Sequence, residues 1–490
     1  RDLRAQVFTR VEGFSLHEFD TIGTPSLITR TTNDITQVQM FTMIMLRMLI
    51  MSPIMAVGGV VMALQKDARL TWVLAVVIPV LAIVITLIAT RALPLFRAIQ
   101  AKIDRINLVL REGLTGVRVI RAFNRGGHEQ KRFDEANLDL TATSIRVNKV
   151  MALMFPLMML IMNLTAVAII WFGAKRIGMG EMQIGSLMAF IQYAMQILFS
   201  LLMVSFLFIM YPRAAASAGR INEVLALKPG ITDAALTRTA EGEHGYVEFR
   251  GVTFAYPGAE EPALRDISFS AKPGEVTAVI GGTGAGKSTL VNLIPRFYDV
   301  ASGSILVDGV DIREMTQEHL RKKLGFVPQK AVLFNDTIAN NIRYGREDAA
   351  DADVAHAAET AQALDFILAM PEGFQSVIAQ SGTNVSGGQK QRLAIARALV
   401  RNPEIYIFDD TFSALDFTTD AKLRAALRRE TAEATVIIVA QRVTTVMDAD
   451  RIIVLDDGRV AGMGTHRELI RSCEVYREIV ASQLSEEELA

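Results

Sequence analysis

Four long apolar runs in the first half of the chain constrain its fold more than any other feature. The stretches 48–64, 70–90, 151–174 and 182–212 each reach or approach the ~20 residues a helix needs to cross a bilayer. One such run could be a buried helix of a soluble protein. Four of them in close succession are read as membrane spans, and each must be helical because hydrocarbon offers the backbone no water to bond. At 490 residues the chain is also too long for one compact core. Beyond position 212 the apolar runs stop and an ordinary mixed-charge composition begins. The expected organisation is an α-helical transmembrane domain over 1–213, a polar Ala/Gly-rich linker over 214–242 broken by Lys228-Pro229-Gly230, and an α/β domain over 243–490.

Orientation follows from the basic residues of the short connections. The segment 91–149, between the second and third runs, holds about a dozen Lys and Arg, whereas the short turns hold about two each. The long connection is therefore expected in the cytoplasm and the turns outside, which places the C-terminal domain in the cytoplasm and the protein in the cell membrane. Ile99, Ile103, Ile106, Leu110, Leu114 and Val117 recur at helical spacing, so the spans should continue as helices beyond the bilayer. The first forty residues read as helix, the loop Thr21-Ile22-Gly23-Thr24-Pro25, and helix again. Arg47 is expected to snorkel to headgroups. Met43, Met45, Met48, Met51, Met55, Met158, Met159 and Met162 could line an adaptable surface, but are read as ordinary packing between helices.

A formal net charge of −1 offers no basic footprint for a nucleic-acid partner. The single Cys473 rules out an internal disulfide framework and suits a reducing compartment. The chain opens on Arg1 with neither an initiator Met nor a signal peptide, and is expected to be a piece of a longer protein.

The chemistry lies in the C-terminal half. Gly281-Gly282-Thr283-Gly284-Ala285-Gly286-Lys287-Ser288-Thr289 matches the phosphate-loop pattern, with a strand expected at 276–280 before it and a helix after it. Glycines let backbone N–H groups converge on phosphates, and the helix start favours negative charge. Lys287 should reach the β- and γ-phosphates of ATP, and the Ser288 hydroxyl should ligate Mg²⁺. Val385-Ser386-Gly387-Gly388-Gln389 opens a second helix and could form another anion site. The apolar strand 405–408 delivers Asp409 and Asp410 at its end, and Asp409 can hold Mg²⁺ through water.

In this order the three motifs resemble those of the ATP-binding cassette family, and spans preceding the cassette resemble an exporter-type half-transporter along essentially the whole chain. The resemblance implies that Tyr256 stacks on adenine and that Gln329, in Val327-Pro328-Gln329, senses Mg²⁺. It implies that Ser386, Gly387, Gly388 and Gln389 contact ATP held by an opposite cassette, and that Ser413-Ala414-Leu415-Asp416 cross the dimer interface. A second half-transporter is thus an expected partner. Of the six spans usual per half, the four here correspond to the third through sixth, with coupling helices near 15–23 and 117–124.

Departures from the family pattern are equally informative. A Glu that polarises the attacking water usually follows the Mg-binding Asp; here it is Asp410. A downstream His that contacts the γ-phosphate is replaced by Gln441, and a usually acidic position before Ser386 is Gln380. An amide can hydrogen-bond but cannot carry imidazolium charge. These changes predict a degenerate, slow-hydrolysing subunit of a heterodimer that exports a small amphipathic substrate. A slow homodimer and an ATP-gated channel are the competing readings. A soluble cassette ATPase acting on DNA or ribosomes is set aside by the four spans.

Overall fold

The computed structural model describes residues 1–234, 238 and 244–483, with the side chains of 93, 205–209 and 381 not described. The chain divides into two compact units: Arg1–Thr9 with Pro25–Ala226, and Arg10–Thr24 with Leu227–Ala490.

Every secondary-structure element among the first unit's described residues is a helix. The unit begins in α1 (Asp2–Glu12), and the short α2 (Leu16–Ile22) follows as part of the second unit. Then come α3 (Thr24–Thr29), a π-helical turn at Arg30–Asp34, and α4 (Ile35–Lys66). Helices α5 (Thr71–Thr115), α6 (Val117–Ala122), α7 (Gly126–Gly178) and α8 (Ile184–Ala226) complete it. Each of the four apolar runs overlaps a helix long and apolar enough to cross a membrane: Thr24–Lys66, Thr71–Thr115, Gly126–Gly178 and Ile184–Val204. Only 11% of the apolar window is buried in each of the first two. Residues such as Leu49, Ile54, Val76, Ile83, Leu164 and Val167 point away from the protein, which water would penalise and lipid does not. Helix α4 runs beside α8 and α5 beside α7. Their shared packing includes Ala63, Leu74, Ile169, Phe190 and Ile197.

The helices outlast the apolar runs, as the 99–117 periodicity predicts. The sequence reads the stretch after 213 as a short helix followed by a connector, and the helical part is the end of α8, which runs unbroken through Pro212 to Ala226. Ala214, Ala215, Ala216 and Ala218 carry the strongest helix propensity, which outweighs the one hydrogen bond Pro212 removes. The remainder of the linker lies partly outside the described residues. The two segments expected to hold coupling helices contain α2 and α6. Ser15 caps α2, its N–H donating to Glu18 Oε2 at 2.7 Å.

The second unit carries ten strands among its described residues. They are β1 (Val247–Phe254), β2 (Leu264–Ala271), β3 (Val276–Gly281), β4 (Ser302–Val307), β5 (Val310–Asp311) and β6 (Leu324–Val327). The rest are β7 (Ile405–Asp409), β8 (Thr435–Val439), β9 (Arg451–Asp456) and β10 (Arg459–Gly464). Four form an antiparallel sheet, β2-β1-β4-β5, and six form a second, β10-β9-β3-β8-β7-β6. In the latter β9, β3, β8, β7 and β6 are parallel, and β10 is an antiparallel edge.

The two-residue strand period sorts the core. Ala278 and Ile280 of β3 face a helical layer with Phe408 and Ile438, while Val279 faces the opposite side with Ile407, Val439, Phe249 and Ile267. Strand β3 is thus buried on both faces in the middle of the parallel sheet. Its C-terminal end, separated from that of β7 only by β8, is where such sheets place their ligands.

Candidate nucleotide-binding site

Strand β3 delivers the phosphate loop. Two of its glycines are required by the backbone. A Cβ on Gly281 would lie 2.2 Å from Leu455 O, so only hydrogen fits against the neighbouring strand β9. Gly286 has φ +93° and caps the helix α9 (Lys287–Leu293); a Cβ there would sit 2.8 Å from Leu264 Cδ2. Gly282, Thr283 and Gly284 arch outward, exposed, and the loop is closed by Ala285 N–H donating to Gly282 O at 3.3 Å. Ala285 itself turns inward into the core.

Lys287 and Ser288 leave the first turn of α9 toward the end of β7. The Lys287 ammonium is buried and donates to Gly281 O at 2.8 Å and Gly282 O at 2.7 Å. Burial holds it below the usual lysine range, against the charges of Asp410 and Asp409. Ser288 Oγ donates to Asp409 Oδ1 at 2.9 Å. Burial raises the Asp409 carboxyl above its usual range; Asp410 adds to this and the Ser288 bond opposes it. A serine hydroxyl and a carboxylate in contact, with the Gln329 side chain also in the site, form an oxygen-donor set suited to Mg²⁺. Mg²⁺ characteristically completes its shell with waters and substrate phosphates instead of a protein cage. Ser288, Asp409 and Gln329 are the residues that would hold it.

Asp410 follows in a left-handed conformation, φ 44°, and is buried. Its Oδ2 accepts from Gln441 Nε2 at 2.8 Å and from Gln329 Nε2 at 3.1 Å. Two of the three positions at which the sequence departs from the pattern it resembles, Asp410 and Gln441, therefore touch each other, and Gln329 joins them. Gln391, which sequence reasoning passed over, fixes Gln329 from behind: its Nε2 donates to Gln329 O at 2.6 Å, and it is buried. Gln391 lies on the helix Gly387–Leu399, so the second Gly-rich motif and the Gln329 loop share one contact. A buried polar residue on that helix's inward face was the available signal.

Tyr256 stands over the start of α9, its phenol bonded to Thr289 Oγ1 at 3.0 Å. Its ring meets Phe254 and Tyr298 edge-on, at 4.9 and 5.4 Å between centroids, and 37% of the residue is exposed. Such a half-open aromatic can stack on a flat base. Among the described residues, Ser386, Gly387, Gly388 and Gln389 form no hydrogen bond to this cluster. Ser386 N–H donates to Gln389 Oε1 at 2.8 Å and Gln389 N–H to Ser386 Oγ at 3.3 Å, a capping box at their own helix start. Gln380 is exposed nearby in sequence, at a 3₁₀ turn. Asp416 caps the helix Phe417–Glu430 by accepting from Thr419 N–H at 2.9 Å.

Residues 1–201 match the ABC transporter transmembrane region family, and residues 264–413 match the ABC transporter family. The chain belongs to the ABC transporters. An ABC transporter ATP-binding protein of Mycobacterium tuberculosis is 46% identical over 487 residues, 99% of this chain and 83% of that protein. An ATP-dependent lipid A-core flippase of Aromatoleum aromaticum is 35% identical over 489 residues, 99% of this chain and 80% of that protein. A bacterial Atm1-family ABC exporter with ATP bound superposes with a TM-score of 0.84 at 28% identity, covering 99% of this chain and 85% of that one. The transporter is a multi-pass membrane protein of exporter type, and its cassette is of the ATP-hydrolysing kind.

Proposed function

We propose that this half-transporter is the slow-hydrolysing subunit of a heterodimer in the cell membrane that exports an amphipathic, lipid-like molecule, with its cassette in the cytoplasm. The observation that carries the reading is the Asp410 carboxylate, with one oxygen held by both glutamine amides. In the family a Glu at this place polarises the attacking water. Asp410 is one methylene shorter, its backbone is fixed in the left-handed region, and Oδ2 already has two donors. A displacement of about an ångström in such a group can cost ~10²-fold in rate. Gln441 can donate to a γ-phosphate but brings no positive charge to it.

Binding is supported separately. The Gly281–Thr289 loop offers amides and Lys287 to the phosphates, Tyr256 offers a ring to the adenine, and Ser288, Asp409 and Gln329 offer oxygens to Mg²⁺. When bound, Mg²⁺ neutralises charge on the bridged phosphate oxygens. ATP would then act here as a lasting clamp. Ser386 to Gln389, already preorganised as a helix cap, would complete a competent site on the partner. The lipid-like substrate class draws on the named activity of the flippase relative together with the apolar span surfaces.

The test is to co-express the full-length protein with its genomic neighbour and measure ATPase activity in reconstituted vesicles. Asp410→Glu should change turnover no more than a few fold, whereas removing the partner's glutamate should abolish it. Full turnover from a homodimer of this chain would overturn the heterodimer reading. Nucleotide-dependent substrate flow only down a gradient would favour a channel.

A further inference from the structure

The turns joining α4 to α5 and α7 to α8 form one end of the span bundle, and their basic residues have no role in the nucleotide site. A cavity of about 310 Å³ opens there, at the lower edge of the roughly 300–1,000 Å³ range of small-ligand pockets. Three cations line it, Arg69, Lys175 and Arg176, and no carboxylate does. Arg176 is already committed, 2.7 Å from Asp67 and 3.1 Å from Glu181. Asp67 is buried and also accepts from the N–H groups of Arg69 and Leu70, both at 2.9 Å, so its charge is spent inside the protein. The other two cations are far less engaged. Arg69 comes no closer than 3.9 Å to Glu181 and is 80% exposed on its side chain. Lys175 forms no ion pair among the described residues; its ammonium lies over the Trp171 ring, 5.3 Å from the centroid.

The rest of the lining is apolar: Leu70, Val73 and Phe172, with Trp72 beside them. The chain contains 2 tryptophans, and both are here, Trp72 at 73% and Trp171 at 62% exposure. Exposed Trp beside Lys and Arg at the end of a span marks the headgroup level of a bilayer. A soluble anion would gain from the cations and waste the apolar wall. A molecule with both an anionic head and hydrocarbon uses both.

We propose that this cavity binds an anionic phospholipid, its phosphate between Lys175 and Arg69 and the start of its acyl chains against Trp72 and Phe172. Because Arg69 and Trp72 belong to the α4–α5 end and Lys175 and Phe172 to α7, the bound lipid staples these two spans together in the leaflet the turns reach.

The experiment is native mass spectrometry of the full-length transporter titrated in detergent with phosphatidylglycerol or phosphatidylcholine. Wild type should retain phosphatidylglycerol selectively. Removing one charge, in Arg69→Gln or Lys175→Gln, should lower that selectivity about five-fold, and removing both should lower it on the order of twenty-fold. Lys66→Gln, at an exposed cation ending α4 outside the cavity, should change it by less than two-fold. Trp72→Ala should weaken retention of either lipid. Arg69 and Lys175 bury no ion pair, so the variants should remain folded, and the single variants serve if the double does not. Undiminished selectivity in both single variants would overturn the proposal. So would an equal loss in Lys66→Gln, or displacement of the lipid by millimolar inorganic phosphate, which would assign the cavity to a free anion.

Discussion

At the residue scale the site separates into groups for holding ATP and groups for cleaving it. Lys287 is the clearest holder. Replacing it by Ala removes a charge-assisted contact worth ~1.5–3 kcal/mol, so Mg-ATP affinity should fall about ten- to a hundred-fold by nucleotide titration. Asp410 and Gln441 are the cleaving positions, and their 2.8 Å bond makes them a coupled pair. Asp410→Glu/Gln441→His should raise single-turnover hydrolysis at this site on the order of 10²-fold, and more than the product of the single changes, because each single variant leaves the other's partner mismatched. Additive single effects would show that the bond does not link them. The phosphate loop and the Asp pair were legible in the sequence because their residues are local and their backbone demands glycine or a strand end. The convergence of Gln329 and Gln441 on one carboxylate oxygen joins positions 81 and 31 residues from Asp410, which no local pattern reports. Gln391 was missed for the same reason: its partner lies 62 residues away.

Elements were legible wherever one periodicity ran uninterrupted. The four spans, β3 and β7 fall where the sequence places them. What the sequence did not show is that the short helix after position 213 is continuous with the fourth span, carried through Pro212 by four alanines and the neighbouring helix. What binds the strands was also hidden. Lys323, next to β6, is buried and donates to Asp308 Oδ2 at 2.9 Å and Glu404 Oε2 at 2.6 Å. Asp308 in turn accepts from the N–H groups of Gly245 and Tyr246, at 2.7 and 2.8 Å, tying the start of β1 to the end of β4 and the start of β6. Lys323→Met would strand the Asp308 charge and should cost about 3–5 kcal/mol in cassette stability, measured by urea unfolding. A second device sits between β10 and the C-terminal helix Glu474–Ala481. His466 Nδ1 lies 2.7 Å from the Tyr476 hydroxyl, and burial holds the imidazole below its usual range. The unfolded state then binds more protons, so stability from this group is present above the ordinary histidine value near 6.5 and is lost as pH falls toward the depressed folded value. The cassette melting temperature should drop between about pH 7 and 5, and His466→Gln should flatten that drop.

At the scale of the whole molecule the question is how a clamp on ATP reaches the spans. Helix α2 belongs to the same compact unit as the cassette, yet peptide bonds join it at both ends to helices of the other unit. A segment of that kind can transmit force only if it stays folded. It has seven residues, too few to be helical alone, so its caps matter unusually. Glu18 is the principal one, buried and accepting the Ser15 N–H at 2.7 Å, and among the described residues it forms no hydrogen bond to the nucleotide site. Glu18→Ala should fray the start of α2 at a cost of about 1 kcal/mol. Mg-ATP affinity should stay within two-fold of wild type, because Lys287, Ser288 and Asp409 are untouched. Substrate stimulation of ATPase and vesicle transport should fall together. If transport persists at the wild-type rate per ATP while the α2 amides lose protection in hydrogen exchange, coupling does not pass through α2, and α6, in the other segment expected to couple, becomes the element to break.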